Sequence, residues 1–429
     1  MMGQLSRSLT IEFLLMIGLL FKLPVVLSFT RSKACFSGRF STRINTTRDT
    51  STCPPQISIV GGGLAGLSTA YHFLTRVDNC DAVVTIYDKF PVGKGGASAV
   101  AGGLLHPLSP RGSKVVHWGL DGLFATGKLI DEAIKFAPNC VLREKLYRVA
   151  LTEQNVQDLQ HTATTILPDH SRWMEKQELD NLLHTNDSMG GLELSNGCRV
   201  VHVPSYLRGL LAACQSKGEV EWKIIKDFTE LSDHRHDVSF TSVNNIWVFA
   251  CGAGLIQENG LLDEHAQAKL PLQIVRGQSV ELTLRDEKVP CEAALCGKYV
   301  TPLLDHNRML VGATQEFKEE ALPPHELRAE LKNKSYKLAP VLWKKSDIHR
   351  ITCGYKAQSQ RNNLGRLPII GRLGNDWIFT GLSSRGLLYH AIYGEKLVEM
   401  ILASHGKDQD SYECSITKQY PHLKWWKQK

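Results

Sequence analysis

Residues 57–66, ISIVGGGLAG, decide the fold, because a short apolar strand pattern runs directly into the glycine turn Gly61-Gly62-Gly63-Leu64-Ala65-Gly66. The apolar spacing of residues 67–74 predicts a helix, and residues 83–87, VVTIY, predict a second strand that ends at Asp88. Such glycines permit a tight turn and let backbone amides approach a pyrophosphate, while the acid accepts hydrogen bonds from an adenosine ribose. A lone glycine turn also occurs in unrelated folds, but the complete order predicts a dinucleotide-binding α/β fold.

The segment that follows Asp88 favours FAD over NAD as the dinucleotide. Residues 89–110, KFPVGKGGASAVAGGLLHPLSP, are rich in glycine and alanine. Small residues let a backbone lie against a large flat ligand, whereas an NAD-binding chain more usually continues with a helix and a third strand. The alternative is a flexible surface loop, although the apolar composition favours burial against a ring system.

Two later segments supply further parts of the predicted site. Residues 377–380, WIFT, predict a strand, and residues 381–387, GLSSRGL, predict a turn that opens a helix. A helix N-terminus stabilises negative charge on a flavin, although a purely structural turn is as common. Residues 247–254, WVFACGAG, predict a strand that returns to the same sheet, where the small residues Ala250 and Gly252 leave room for the cofactor.

Length and composition limit the class of protein. The chain has 429 residues, of which 43% are hydrophobic and 22% charged, so we expect two associated domains or one large α/β unit and exclude wholesale disorder, a collagen-like fibre and a multi-span membrane protein. The 11 cysteines are odd in number and include no Cys-x-x-Cys pair. A disulfide framework and a zinc site are therefore not expected, and a reducing compartment fits better.

The first 56 residues differ from the rest and are predicted to be a disordered leader. They hold 14 Ser or Thr residues, seven basic and two acidic residues, and so supply +5 of the formal net charge of +7. This composition is typical of an organelle transit peptide; we expect plastid import, with mitochondrial import as the alternative and secretion less favoured. Residues 13–21, FLLMIGLLF, are too few for a membrane span. The small charge of the remainder argues against a strongly basic nucleic-acid surface.

Several motifs together resemble the D-amino-acid oxidase (DAO) superfamily of FAD-dependent oxidoreductases, which includes glycine, sarcosine and D-amino-acid oxidases. In chain order they are GGGLAG with Asp88, ASAVAGGLLHP, WVFACGAG, LPLQIVRGQSVEL, KYVTPLLDHNRMLVGATQE, GRLPIIG and GLSSRGLLYHA, within residues 57–405. The SSRGL turn and the loop after the second strand are most similar to the FAD domain of the bacterial bifunctional tRNA 5-methylaminomethyl-2-thiouridine biosynthesis proteins.

The resemblance implies an α/β (α+β) fold in which a discontinuous Rossmann-like FAD-binding domain carries a substrate or cap domain built on an antiparallel sheet. The implied segments are 57–114, 195–269 and 350–405 for the FAD-binding domain, 115–194 and 270–349 for the substrate domain, and 406–429 for a C-terminal tail.

The resemblance also implies which residues contact FAD and what they contribute. The residues expected to hold the cofactor are Gly61, Gly63, Leu64, Ala65, Gly66, Asp88, Lys89, Ser98, Ala101, Gly102, Gly103, Leu104, Ala250, Gly252, Ser384, Gly386 and Leu387. FAD would take a hydride at N5 from a neutral amine next to a carboxylate, water would hydrolyse the resulting imine, and dioxygen or another acceptor would reoxidise the cofactor.

One position departs from the family pattern. Many relatives place an Arg in a G-x-R-x segment upstream of the LPxxG motif to hold the substrate carboxylate, whereas this chain has Gly354-Tyr355-Lys356. Arg offers a bidentate fork and Lys only a point charge, so the exchange is not neutral. The expected catalytic or substrate-binding residues are Lys356, Arg361 and Arg385, with Arg366 as an alternative. His106 and Tyr299 are further candidates to face the flavin, although a packed core role is the alternative for both.

Three functions remain open from the sequence. The first is an FAD-dependent oxidoreductase that oxidises the C–N bond of a small amino acid or secondary amine. The second is a tRNA-modifying oxidoreductase that removes a carboxymethyl group from a wobble uridine, which requires a basic surface that the small charge after residue 56 supports poorly. The third is a flavin-binding protein without turnover, which the exchange to Lys356 keeps open. No stable membrane insertion is expected.

Overall fold

The computed structural model describes residues 56–76, 82–185, 187–231, 245–258, 261–262, 270–286, 288–317, 320–404 and 415–424. The chain divides into two units, Met1–Thr52 and Cys53–Lys429, and all the described residues lie in the second. The predicted leader, residues 1–56, lies outside the described residues except for Gln56.

The helices and strands carry labels in chain order. The α-helices are α1 (Leu64–Arg76), α2 (Gly119–Ile134), α3 (Glu153–His161), α4 (Lys176–Leu183), α5 (Val203–Gln215), α6 (Gly254–Gln257), α7 (Pro324–Ser335), α8 (Pro340–Lys344), α9 (Gly386–Ser404) and α10 (Ser415–Gln419). Short 3₁₀-helices span Ala97–Val100, Pro138–Cys140, Pro168–His170 and Pro421–Leu423, and a π-helix spans Thr162–Ile166. The strands are β1 (Gln56–Val60), β2 (Val83–Asp88), β3 (Leu104–Leu105), β4 (Val141–Arg143), β5 (Leu146–Val149), β6 (Ser171–Met174), β7 (Gly191–Leu194), β8 (Arg199–Val201), β9 (Glu219–Ile224), β10 (Asn245–Phe249), β11 (Leu272–Leu284), β12 (Ala294–Cys296), β13 (Lys298–Pro302), β14 (Arg308–Gly312), β15 (Ser346–Ser359), β16 (Arg361–Asn362), β17 (Gly365–Arg366), β18 (Ile369–Leu373) and β19 (Asp376–Thr380).

The first sheet has the strand order β18-β19-β10-β1-β2-β9. The pairs from β19 to β9 are parallel, and β18 closes one edge by an antiparallel hairpin with β19. Strand β1 lies inside the sheet because Ile57, Ile59 and Val60 are buried, and parallel strands with helices on both faces need apolar residues on both faces. The glycine turn therefore starts at the carboxyl edge of an inner strand, where α/β folds bind ligands.

Helices from both ends of the chain pack together beside this sheet. Helix α9 packs on α1 and on α2, and α5 packs on the same two helices. The Thr126 hydroxyl of α2 donates a hydrogen bond to the Leu387 carbonyl at 3.0 Å, which fixes the first turn of α9. No helix within the described ranges is both long and apolar enough to cross a membrane.

The second sheet has the order β15-β11-β14-β13-β12-β5-β7-β6. Its neighbouring strands pair antiparallel except β12 and β5, which are parallel. Val280, Val300 and Val311 pack with Leu327 and Leu331 of α7, so one face of the sheet is covered by helices. Two small sheets, β3-β8-β4 and β16-β17, complete the structure. The structure is thus a mixed α/β fold, as predicted from the sequence.

The boundary predicted between residues 349 and 350 falls inside a strand. Strand β15 pairs with β11 along its whole length, from Leu284 opposite Ser346 to Leu272 opposite Ser359. Residues 350–359 therefore belong to the second sheet and not to the first. The sequence did not reveal this strand because its first half is largely exposed on both faces and lacks the apolar alternation of a half-buried strand.

The predicted C-terminal tail, residues 406–429, is partly ordered against the rest of the molecule. The rings of Tyr420 and His422 contact the Trp118 ring, with centroids 5.1 and 4.5 Å apart. Residues 405–414 and 425–429 lie outside the described ranges.

Candidate active site

The glycine turn after β1 is held by close backbone contacts. Gly61 has a φ of 100°, and a Cβ atom there would lie 2.7 Å from the carbonyl carbon of Ala250, at the end of the neighbouring strand β10. A Cβ atom at Gly66 would lie 1.9 Å from the Gly61 carbonyl oxygen. The turn and the first turn of α1 are thus packed too closely for side chains at these positions, as the glycine spacing predicted.

Asp88, at the end of β2, holds the glycine turn in place. Its carboxylate accepts hydrogen bonds from the backbone N–H of Gly62 at 2.7 Å and of Phe90 at 2.9 Å. Burial raises the pKa of Asp88 above its ordinary value, and these backbone donors oppose the rise. Lys89, also predicted to contact the cofactor, donates to Glu258 at 2.7 Å.

Trp222 of β9 packs beneath the turn and was not identified from the sequence. A Cβ atom at Gly62 would lie 2.0 Å from the Cη2 atom of the Trp222 ring. The indole Nε1 of Trp222 is buried and has no hydrogen-bond partner among the residues that the structure describes. The one available signal was the tryptophan in the alternating strand EVEWKI.

The N-termini of α1 and α9 meet at one point. A Cβ atom at Gly386 would lie 3.2 Å from the Leu64 side chain, and the Ser68 hydroxyl donates to the His390 carbonyl at 2.9 Å, four residues further along both helices. The two helices therefore run parallel. Their free N-terminal amides and dipoles stabilise negative charge at the same place.

The segment after β2, which carries Ser98, lies beside these helix ends. Together with the glycine turn and Gly252 it forms a surface that we call the cradle. The Ser98 hydroxyl lies 3.5 Å from the Leu64 amide nitrogen and would be 3.2 Å from a Cβ atom at Gly63. Gly252 has a φ of 58° and no atom within 4 Å of a Cβ position, so this part of the cradle opens to free space. Free amides, a hydroxyl and an open backbone beside two helix ends fit an extended dinucleotide such as FAD.

Tyr299 of β13 brings the second sheet against the small-residue segment. A Cβ atom at Gly102 would lie 2.6 Å from the Tyr299 ring. In the sheet, Tyr299 stands opposite Gly312 on one side and Leu295 on the other. Burial raises the pKa of Tyr299, while a hydrogen bond with Ser279 opposes the rise. Tyr299 is therefore a neutral phenol at physiological pH, and its hydroxyl is available as a donor.

Lys356 of β15 is joined to the turn that precedes α9. Its ammonium group donates a hydrogen bond to the Ser384 hydroxyl at 3.0 Å. Burial and the charge of Lys298 lower the pKa of Lys356. No acidic side chain in the described part of the chain pairs with it, so Lys356 presents an unmatched positive charge beside the N-terminus of α9.

The other predicted cations lie in different surroundings. Arg361 is exposed on β16, and Arg366 donates to the Ser359 carbonyl at 2.7 Å; among the described residues neither bonds to Lys356 or Ser384. Arg385 is half-buried at the start of α9, where burial lowers the pKa of its guanidinium. The structure thus brings Lys356, Ser384 and Arg385 together and leaves Arg361 on a separate hairpin.

The remaining predicted cofactor residues continue the cradle or support it. Gly103 has a φ of 69° and its carbonyl accepts the Val201 N–H at 2.9 Å, which joins this segment to β8. Ala101, Gly102 and Leu104 are partly exposed. Ala65 and Leu387 are buried in the first turns of α1 and α9, so they pack the helix ends.

Comparisons with known proteins agree with this geometry. A family model described as "DAO: FAD dependent oxidoreductase" matches residues 56–400, and a search of curated proteins finds no match. Among solved structures, glycine oxidase from Bacillus cereus ATCC 14579 is 16% identical with a TM-score of 0.64, covering 84% of this chain and 98% of that chain.

Two further solved structures share the architecture. Iminodiacetate oxidase from Chelativorans sp. BNC1 is 18% identical with a TM-score of 0.61, covering 81% of this chain and 95% of that chain. L-alpha-glycerophosphate oxidase from Mycoplasma pneumoniae, with FAD bound, is 16% identical with a TM-score of 0.57, covering 81% and 94%. At these identities the similarity shows a shared fold.

Proposed function

Since the chain belongs to the DAO family of FAD-dependent oxidoreductases, we propose that it oxidises the C–N bond of a small amino acid or secondary amine that carries a carboxylate. The observation that carries this proposal is the unmatched charge of Lys356, held at Ser384 beside the N-terminus of α9. A cation at this point attracts an anionic substrate to the place where the two helix ends meet. The glycine oxidase and the iminodiacetate oxidase among the structural neighbours agree with this class of reaction.

The residues of this chain would bind FAD and orient the substrate. The glycine turn, Asp88 and Ser98 fit the nucleotide and pyrophosphate, and the start of α9 fits the flavin end. FAD, when bound, supplies the hydride acceptor. Lys356 binds the substrate carboxylate as a point charge. The protonated Tyr299, on the sheet face that contacts Gly102, donates a hydrogen bond to the bound substrate.

The proposal is tested by flavin reduction without oxygen. The full-length holoenzyme is mixed anaerobically with glycine, sarcosine, D-alanine and organellar tRNA in separate experiments, and absorbance near 450 nm, a generic flavin band, is followed. Bleaching with one of the three amines is expected. Bleaching with tRNA alone would replace the amine proposal with the wobble-uridine reaction, and no bleaching by any of them, with dithionite as the positive control, would contradict both.

We also propose that residues 1–56 direct the protein to plastids, with mitochondria as the alternative. The support is their hydroxyl-rich, acid-poor composition. The test is a fusion of these residues to a fluorescent protein in plant cells, with the same reporter lacking them as the control. Fluorescence that stays in the cytosol would contradict the proposal.

A further inference from the structure

Arg148 of β5 is a buried cation without a counter-charge. Its side chain belongs to a residue that is only 5% exposed. One terminal nitrogen, Nη2, donates to the Pro110 carbonyl, whereas Nη1 is buried and has no hydrogen-bond partner within the described ranges. No acidic side chain among the described residues pairs with Arg148. Burying an unmatched charge is costly, and proteins keep such groups where a partner binds.

Arg148 faces the same side of the second sheet as Tyr299. It stands opposite Leu295 in the parallel pair of β5 and β12, and Leu295 stands opposite Tyr299 in the antiparallel pair of β12 and β13. Directly opposed residues project from one face, and neighbouring strands lie about 4.8 Å apart, so Arg148 is roughly 10 Å from Tyr299 across the sheet. This is the face that contacts Gly102 and not the face covered by α7.

Arg385 brings a second unmatched charge to the same region. Its side chain forms no hydrogen bond or ion pair with any residue that the structure describes, and it is half-buried. Helix α9, which Arg385 directly precedes, packs on β3, the strand that ends one residue before His106, and Arg148 donates to the carbonyl of Pro110, four residues after His106. After burial, which is the largest cause, both charges hold the pKa of His106 well below its ordinary value. Two like charges in one buried region increase the cost of leaving them unpaired.

His106 adds a neutral donor on which both guanidinium charges act. Its Nδ1 accepts a hydrogen bond from the Leu108 N–H at 3.2 Å. This assigns the ring proton to Nε2, because a neutral imidazole carries only one. His106 is partly exposed rather than sealed in the core, so its Nε2–H can bond to a ligand. A neutral N–H next to two guanidinium groups suits an oxyanion.

We propose that Arg148, Arg385 and His106 form a second anion site, so that the substrate carries two acidic groups, one held here and one at Lys356. This second site rests on the proposed function, because that function assigns the first substrate carboxylate to Lys356. The charge balance carries it: three cations, Lys356, Arg385 and Arg148, have no acidic partner among the residues that the structure describes, and a single carboxylate leaves most of that charge unmatched. The substrate class is therefore an amino acid with an acidic side chain, or one with an acidic substituent on nitrogen.

The test measures ligand binding to the oxidised holoenzyme and needs no turnover. Perturbation of the flavin spectrum is titrated at constant ionic strength with succinate against butyrate, and with glutarate against pentanoate. We expect the dicarboxylate to bind about tenfold or more tightly than its matched monocarboxylate. Arg385→Gln should reduce this preference to less than about threefold, and Lys356→Gln should weaken both ligands.

Controls separate the proposal from its alternatives. Arg328→Gln, on the exposed face of α7, should leave the preference intact. Arg148→Gln should remove it, and if that buried variant does not fold, Arg385→Gln decides alone. Equal binding of both ligand classes by the wild type, or a preference that survives Arg385→Gln, would overturn the second site. If no amine bleaches the flavin while the dicarboxylate preference is present and depends on Arg385, the proposed function fails and the anion site stands.

Discussion

Replacing Lys356 by Gln tests the proposed substrate contact most directly. The variant keeps a polar group near Ser384 but removes the charge. A hydrogen bond to a charged group contributes about 1.5–3 kcal/mol, and because Lys356 is only half-buried the lower end, about 1.5–2 kcal/mol, is expected. This corresponds to a KM about 10–30-fold higher for the amine substrate. The carboxylate is bound equally before and during the reaction, so kcat should change little.

The pH dependence gives a second readout from the same residue. Burial and the charge of Lys298 lower the pKa of Lys356 from 10.5, so the cation needed for binding is lost at a lower pH than for a free lysine. In the wild type, kcat/KM should fall on the alkaline side as Lys356 loses its proton. Lys356→Arg should move this fall to higher pH because arginine stays charged, and Lys356→Gln should abolish it.

Steady-state kinetics between about pH 7 and pH 10 provide the assay, with Lys356 variants compared with Lys332→Gln, an exposed lysine of α7. The control should match the wild type. A KM for Lys356→Gln within about threefold of the wild type, together with an unchanged alkaline fall, would refute the assignment of the carboxylate to Lys356.

Three further substitutions follow from the structure. Gly66→Ala places a Cβ atom 1.9 Å from a carbonyl oxygen of the glycine turn. We therefore expect a loss of about 1–3 kcal/mol of stability and a lower flavin-to-protein absorbance ratio. The control Gly127→Ala, where no described atom lies within 4 Å of the new Cβ atom, should keep both the stability and the absorbance ratio of the wild type. Asp88→Ala leaves two backbone amides without their acceptor and should raise the Kd for FAD by about tenfold or more. The Kd is measured by fluorescence titration of the apoprotein, and an unchanged Kd would show that the turn holds its shape without the carboxylate. His390, whose Nε2 bonds to the Tyr206 hydroxyl at 2.7 Å, has its pKa lowered by burial from 6.5 to about 3, so its neutral form stabilises the fold fully above pH 6.5 and progressively less between pH 6.5 and 3. The stability advantage of the wild type over His390→Gln in urea should therefore shrink by about 2 kcal/mol from pH 7.5 to pH 5, and a difference independent of pH would contradict this.

The parts of the fold that were predicted correctly depend on local patterns. The glycine turn, the start of α1 and the turn before α9 follow from residue types that few other structures tolerate. The family, the mixed α/β fold and the FAD cofactor agree with the matched family model. The extent of β15 was not predictable because its pairing with β11 is long-range and its exposed first half lacks apolar alternation.

In the candidate site, too, local patterns were predictable from the sequence and long-range contacts were not. Lys356 was singled out because it replaces an arginine in a recognisable motif, but its bond to Ser384 depends on how two distant segments meet. Arg361 is close to Lys356 in sequence, yet the chain turns into a separate hairpin between them. Arg148 was missed because an arginine within LYRV resembles a solvent-facing residue of a strand, and only the sheet order shows what covers it.

The meeting of α1 and α9 has a consequence for biosynthesis. The two helix starts are separated by more than three hundred residues, so a nascent chain leaving the ribosome displays the glycine turn long before its counterpart exists. Strand β19, which pairs with β10, also arrives late. The complete cradle therefore forms only after residue 386 and the first turn of α9 have been synthesised, and a chain truncated upstream of residue 386 would lack the second of the two helix ends.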